Sequence, residues 1–384
     1  MKITFRIFMF LYTIIAFSQD AVHNYGAIQI HDTGSVGFHM DVINDGTFNQ
    51  NLGLVGFYSE NNTISLSGTS NPVFYDTEIA VDNGFYVENT MEVANNLNFI
   101  TGTIFTPRTE SETNLSFLSN SFYVGEADNT KIDGYATIQE MASFTFPIGE
   151  DDKLRPLTLE STTINDYAKS AYFYENPNNP STFSQNFDTS ITGASIFQTS
   201  TKEFWHLESD VPSKVTLTWD SSSEINLLAS SLSKLKVVGW NKVLQHWEDL
   251  GNTAVSGNFN KGTLTSNTFI PSEYAILTFA GDRKELNSYH YYVSPDGDGI
   301  NDFLIIDGLD ESEENNLSLY NRWGRLVFSK DNYINEFNGL SNSSGSIIRK
   351  NEGLPGGVYF YILIFKDSNQ KQQGYLHIQT DTEN

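Results

Sequence analysis

The chain has 384 residues, enough for two or three domains with cores of their own, and its 47 acidic against 22 basic residues leave a formal charge of −25. So acidic a surface repels phosphate backbones and argues against nucleic acid as a partner, while it suits an exported protein that meets divalent cations. Cysteine is absent, which removes disulfides, thiol nucleophiles, Cys-ligated metals and acylated cysteine anchors from consideration.

The first segment, residues 1–18, reads as a secretory signal peptide. Lys2 and Arg6 give the positive start, Ile7 to Phe17 the apolar stretch, and Ala16-Phe17-Ser18 a small-x-small cleavage site before Gln19. The apolar stretch is too short for a permanent membrane helix. No later segment has eighteen uninterrupted apolar residues, so no transmembrane segment is expected in the mature chain.

Residues 19–130 form a β-rich region of short bursts separated by Gly and Asn. The bursts are Val36 to Val42, Leu52 to Tyr58, Ile64 to Leu66, Ile79 to Val81, Phe85 to Val87 and Leu97 to Ile104. Bursts this short, apolar at every second position, suit the coils of a β-solenoid or an irregular sandwich, and the solenoid is the reading taken forward. No fixed period emerges.

A second unit spans residues 131–281. Val215-Thr216-Leu217-Thr218-Trp219 alternates strictly, which puts Val215, Leu217 and Trp219 on one buried face. Ala171 to Tyr174, Phe204 to Leu207, Leu235 to Trp240 and Ala275 to Phe279 follow the same logic. Trp240-Asn241-Lys242 and His246-Trp247-Glu248 look like two arms of a hairpin with both indoles near its loop. No helical periodicity persists for ten residues, so an antiparallel β-sandwich is expected. Residues 282–288, charged and polar, read as a linker.

Candidate chemistry in these two regions is sparse. None of the seven histidines pairs at the i, i+4 spacing of a helical zinc site, and His31 and His39 lie in strand-like surroundings. Neither Gly-x-Ser-x-Gly nor a phosphate-cradling glycine loop followed by Lys occurs. Carboxylate pairs such as Glu203 with Glu208 would need to face each other across a cleft to serve a glycosidase. The indoles of Trp205, Trp219, Trp240 and Trp247 offer either a sugar-stacking platform or core packing, and core packing is the stronger reading.

The last hundred residues carry three islands. Ser294-Pro295-Asp296-Gly297-Asp298-Gly299-Ile300-Asn301-Asp302 can only be a loop. Its aspartates, with the Ile300 carbonyl, have the oxygen chemistry to hold a hard cation such as Ca²⁺, or else they cap nearby backbone N–H groups as Asx turns. Placing Asp298-Gly299 at the fifth and sixth positions of an EF-hand loop puts Ile305 at the twelfth, so the bidentate carboxylate is missing. Tyr320-Asn321-Arg322-Trp323-Gly324 follows alternating Leu317 to Tyr320 and precedes apolar Leu326-Val327-Phe328, as a turn between two strands would. Arg322 beside Trp323 is placed to stack its guanidinium over the indole. Leu354-Pro355-Gly356-Gly357 feeds an apolar and aromatic run through Tyr359 and Tyr361 to Phe365, the pattern of a strand covered on both faces, and Gly374 lies in the segment that follows.

These islands, in this order, resemble the gliding motility-associated C-terminal domain, the type B sorting domain of the type IX secretion system, over about residues 289–379. The resemblance implies a small Ig-like β-sandwich that addresses a periplasmic protein to the type IX machinery for export across the outer membrane. It also implies contact with that machinery, with a PorP/SprF-like outer-membrane protein among the partners. Departures are Asp296 where the family has Asn, Phe337-Asn338-Gly339 where it has Trp-Asp-Gly, and Thr380 to Asn384 trailing past the last strand. Upstream, Phe144 to Gly149 and Arg155 to Leu159 resemble stretches found ahead of such domains in secreted proteins of no known catalytic activity.

The expectation is therefore an all-β modular protein: signal peptide 1–18, solenoid-like region 19–130, central antiparallel β-sandwich 131–281, linker 282–288 and sorting domain 289–384. It is expected at the cell surface or outside the cell, as a non-catalytic adhesin or binding module for a surface glycan or other extracellular ligand. No cofactor is expected unless calcium binds the aspartate loop. The alternative is a polysaccharide-degrading enzyme, or its carbohydrate-binding accessory, exported by the same route.

Overall fold

A computed structural model describes residues 21–193, 196–282, 290–306, 309, 314–343, 353–366 and 371–380. The expected signal peptide, residues 283–288 of the expected linker and the trailing residues 381–384 lie outside the described residues. The chain divides into two compact units, residues 1–131 and 132–384.

The first unit is a β-solenoid. One parallel sheet stacks Ala21–Asn24, Asp41–Asn44, Ile64–Ser67, Phe85–Val87 and Ile104–Phe105, and a second stacks Ser35–Phe38, Leu54–Ser59, Val73–Val81, Met91–Thr101 and Leu115–Phe117. Alternation puts one set of side chains from each strand between the two sheets. There Phe38, Phe48, Phe57, Phe74 and Phe85 form a buried ladder, with the Phe57 and Phe85 centroids 4.5 Å apart and the Phe48 and Phe74 centroids 5.0 Å apart. Asparagines tie the corners. Asn24 Nδ2 donates to Asn44 Oδ1 (2.8 Å), and Asn44 Nδ2 donates to the Ser70 carbonyl (2.7 Å), so backbone oxygens left over at the turns find partners.

Two bursts divide differently from expectation. Val36 to Val42 is two strands, with residues 39–40 turning the chain from one sheet to the other, and Leu97 to Ile104 breaks at Gly102. Gly102 has φ +82°, and a Cβ there would lie 1.7 Å from the Val81 carbonyl, so only glycine fits that corner.

In the second unit the central region is a large, mostly antiparallel sheet system. Its organiser is the 17-residue strand Leu157–Phe173. The start of that strand pairs with Ser213–Asp220 and its end with Phe204–Glu208, while Ala136–Phe146 runs along most of its length. Tyr274–Gly281 then joins Phe204–Glu208 to Lys236–Asn241, which closes the hairpin with Trp247–Gly251. Trp240 stands opposite Trp247 with the indoles edge to face at 5.6 Å, so the predicted hairpin is present. Both faces of the inner strands are covered. Phe173, Phe204, Trp240 and Trp247 share one core cluster, and Tyr172, Trp205 and Phe279 pack together on the other side.

The C-terminal region is a five-stranded sheet in the order Tyr291–Val293, Lys371–Ile378, Gly357–Phe365, Asn315–Asn321, Leu326–Asp331. Its core holds Val293, Leu317, Leu319, Tyr361, Leu363 and Leu376 from the strands, under Leu304, Ile306, Tyr333, Phe337 and Leu354 from the loops. The layer facing the sheet is thus made of loops. Gly357–Phe365 is not covered on both faces, as its unbroken apolar run led us to expect: it alternates, with Tyr359, Tyr361, Leu363 and Phe365 buried and Val358, Phe360 and Ile364 exposed.

Candidate functional site

The four indoles expected either in a platform or in the core, Trp205, Trp219, Trp240 and Trp247, are all buried. Trp205 Nε1 donates to the Arg155 carbonyl and Trp247 Nε1 to that of Asp188, each at 3.1 Å, so both sit as satisfied core residues and none is free to stack a sugar.

Glu203 and Glu208 do not face each other. Five residues apart along an extended segment, they point to opposite sides of the sheet. Glu203 is fully buried; the Tyr172 hydroxyl donates to it at 2.6 Å and Arg155 Nε at 3.2 Å. Burial pushes its pKa up and the Arg155 guanidinium opposes that rise. The same guanidinium reaches Asp220 and the Ser222 hydroxyl. Burial pushes the Asp220 carboxyl up, but the hydrogen bonds from Arg155 and Ser222 win and hold it at about 2. This cluster bonds groups 48 residues apart in sequence and leaves the guanidinium no open side for a ligand.

Glu208 lies at the other face, beside an open cleft of about 450 Å³ lined by Asp166, Tyr167, Asp210 and Lys242. Buried Lys169 reaches one Glu208 oxygen at 3.3 Å and His206 Nε2 the other at 3.4 Å, while His206 Nδ1 shares a 2.8 Å hydrogen bond with the Tyr135 hydroxyl. Nothing in the sequence pointed to this group, because its members come from three separate strand regions. A second open cleft, about 600 Å³, lies on the solenoid between His39, Tyr58, Glu60, Asp82 and Ile100. His39 Nδ1–H donates to the Tyr58 carbonyl at 3.1 Å, and the Tyr58 hydroxyl donates to Glu78 at 2.7 Å. Burial, then that carboxylate, pushes the Tyr58 phenol up to about 12.

The loop 294–302 is built by its aspartates. Asp302 accepts from the N–H groups of Gly297 (2.7 Å) and Gly299 (2.9 Å), Asp298 from that of Ile300 (2.7 Å), and Asp296 from that of Asp298 (3.1 Å). Gly297, Gly299 and Asn301 take positive φ, and the Ser294 hydroxyl donates to the Ile300 carbonyl at 3.2 Å. Ligand oxygens of Asp296, Asp298 and Asp302 lie within 4.8 Å of one another, a weak cluster with the donor chemistry for a hard cation. Pro295 packs on Gly339, leaving no room for a side chain there.

The second island is the hairpin turn between Asn315–Asn321 and Leu326–Asp331. The Asn321 side chain accepts from the N–H groups of Trp323 (3.1 Å) and Arg325 (3.0 Å), Gly324 takes φ +75°, and Tyr320 is the last paired residue before the turn. The Arg322 guanidinium sits 4.2 Å from the Trp323 ring, and that indole is 74% exposed. In the third island Leu354 is buried and the Tyr359 hydroxyl donates back to the Pro355 carbonyl at 2.9 Å, fixing the entry to the strand that begins at Gly357. Gly374 is the flat spot on which the Tyr361 ring lies: a Cβ there would meet that ring at 2.8 Å.

A family model described as the CHU_C Type IX secretion signal domain matches residues 287–378. The match ends on the last residue of the final strand and takes in all five strands of the C-terminal sheet. No curated protein and no solved structure matches the chain. A C-terminal type IX secretion signal domain is therefore present. The chain is a secreted or cell-surface protein carried out by that route, and no helix among the described residues is long and apolar enough to cross a membrane.

Proposed function

We propose that the region ahead of the signal domain is a non-catalytic adhesin-like binding module whose ligand is a surface or extracellular glycan. One observation carries this reading: the solenoid presents stacked aromatic rings outward on a parallel sheet. Tyr86 is 39% exposed and lies nearly parallel to Phe105, 4.8 Å between centroids, with Ser65 in register beside it. The face of Tyr86 turned away from Phe105 and toward Ser65 suits the apolar face of a pyranose. The purified full chain should bind one class of glycan on an array, Tyr86→Ala should weaken that binding about tenfold, and hydrolysis assays on the bound glycans should show no turnover.

The cleft at Glu208, with Asp166 and Asp210 on its walls, favours a second reading as a polysaccharide-degrading enzyme. Turnover that is lost in Glu208→Gln would replace the first reading with this one. For export, a PorP/SprF-like outer-membrane protein is the partner proposed for the signal domain. The aspartate loop is proposed to take calcium, with Asp296, Asp298, Asp302 and the Ile300 carbonyl as ligands. A ligand that binds only the folded form raises the melting midpoint, so calcium should raise that of the full chain above its value in chelator, and equal midpoints would remove the ion from the account.

A further inference from the structure

On the solenoid sheet that contains Leu54–Ser59, the outward residues fall into rows, because parallel strands in register set like-facing residues side by side. One row runs through Gly37, Gly56, Glu78 and Asn98, and the row beside it through Asp76, Asn96 and Phe122. Phe122 belongs to the short strand Phe122–Val124, which pairs with Met91–Thr101. Glycine weakens a strand interior unless something must come close to the backbone. Here the Tyr58 ring does: it fills the place a side chain would take on Gly56, and its edge passes 3.2 Å from where a Cβ would stand on Gly37. Two glycines in register thus make a bed for one ring.

The ring is also pinned, since its hydroxyl donates to Glu78 Oε2 at 2.7 Å, and it stands in the wall of the 600 Å³ cleft. A preset ring loses little freedom when a ligand covers it. The polar groups beside it have hydrogen bonds still to make. Glu78 Oε1 receives a long 3.5 Å contact from Asn98 Nδ2, and Asn96 Oδ1 has no hydrogen-bond partner among the described residues. Phe122, 50% exposed, ends the strip three strands from Tyr58, about 14 Å away by strand spacing.

The chemistry of the strip selects its occupant. Hydrocarbon would strand the carboxylates and amides, and the centre of a protein interface is normally depleted of charge, whereas Asp76 and Glu78 stand at the centre here. An anionic chain would meet carboxylates with no cation to answer them: the lysine and arginine of residues 21–131 are Arg108, beyond the strand Ile104–Phe105, and Lys131, which is buried. A sugar hydroxyl both donates and accepts, so carboxylate and amide side chains suit it, and rings suit the apolar face of a pyranose. With a ring at each end, the strip fits several joined sugars better than one.

We propose that this strip is a second glycan site, which takes a neutral oligosaccharide laid along the stack of coils from Tyr58 to Phe122. The proposal rests on the reading of the passenger as a glycan binder, and the strip is separate from the Tyr86 platform, which stands on the other sheet. Its test is calorimetric titration of the purified full chain, wild type and Tyr86→Ala, with tetrasaccharides of glucose, mannose, xylose and N-acetylglucosamine. Oligomers of galacturonate and of glucosamine serve as charge controls. Tyr86→Ala should keep a site for a neutral tetrasaccharide that galacturonate does not enter. Adding Glu78→Gln, which keeps the shape, or Phe122→Ala, at an exposed ring, should weaken that site about fivefold or more at an unchanged melting midpoint. If the wild type binds a neutral tetrasaccharide and Tyr86→Ala binds none, the strip is overturned and the Tyr86 platform stands. The strip is equally overturned if Tyr86→Ala binds and neither added substitution weakens it. If the wild type binds no glycan, the glycan-binding reading falls and the strip with it. Entry of galacturonate, or binding confined to glucosamine oligomers and abolished by high salt, overturns recognition of a neutral chain, the latter in favour of simple charge attraction.

Discussion

Protonation of His206 would put a charge on a ring that is only 12% exposed. Burial brings its pKa down to about 4, and Lys242 and Lys169 add to that against the pull of Glu208. The unfolded chain takes up this proton near the ordinary value of 6.5, whereas the folded chain refuses it until about 4. The contribution to stability is therefore complete above that ordinary value and drains away as pH falls through the interval, to an extent on the order of 3 kcal/mol. A pH series of urea unfolding on the full chain should show this loss, and His206→Gln, which can still meet the Tyr135 hydroxyl, should flatten the series over that interval. A variant as steep as wild type would locate the dependence elsewhere. Local alternation was enough to read the buried face of Val215, Leu217 and Trp219, because a strand writes its inward set at every second position. The environment of His206 was not legible, since Tyr135, Lys169 and Glu208 reach it only through the pairing of distant strands.

At the scale of elements, the solenoid was legible as bursts and hidden as a repeat. Successive coils are offset by 20 residues (Ala21 to Asp41), 24 (Val42 to Leu66), 21 (Ile64 to Phe85) and 19 (Phe85 to Ile104). The corners absorb these differences, so no fixed period survives in the sequence. What is constant is the phenylalanine ladder inside. Phe57 touches Phe38, Phe74 and Phe85, so Phe57→Ala should cost about 3–5 kcal/mol. Tyr25→Ala, at an exposed ring, should stay within about 0.5 kcal/mol. Denaturant midpoints of the two variants check this, and equal losses would mean that the ladder does not carry the fold. The strand Gly357–Phe365 teaches the opposite lesson. Its apolar run was read as two covered faces, because hydrophobic sequence reports what would be buried and not whether this chain supplies the cover.

Across the whole molecule, charge is distributed as unevenly as structure. Residues 21–131 contain 13 carboxylates and two basic residues, Arg108 and Lys131, and Lys131 is buried. The signal domain was the most legible part because its turns need particular residues: glycine where φ is positive, aspartate where stray N–H groups need an acceptor, and Gly374 where a tyrosine ring lies flat. The passenger has no such obligation to chemistry that a reader of sequence would recognise. The solenoid's uneven coils carry a last consequence. Each coil is bonded only to the one before and the one after, and none has to match a common length. An ancestor could therefore have gained or lost a single coil without disturbing the rest, so the number of coils is free to drift between lineages while the export address stays fixed.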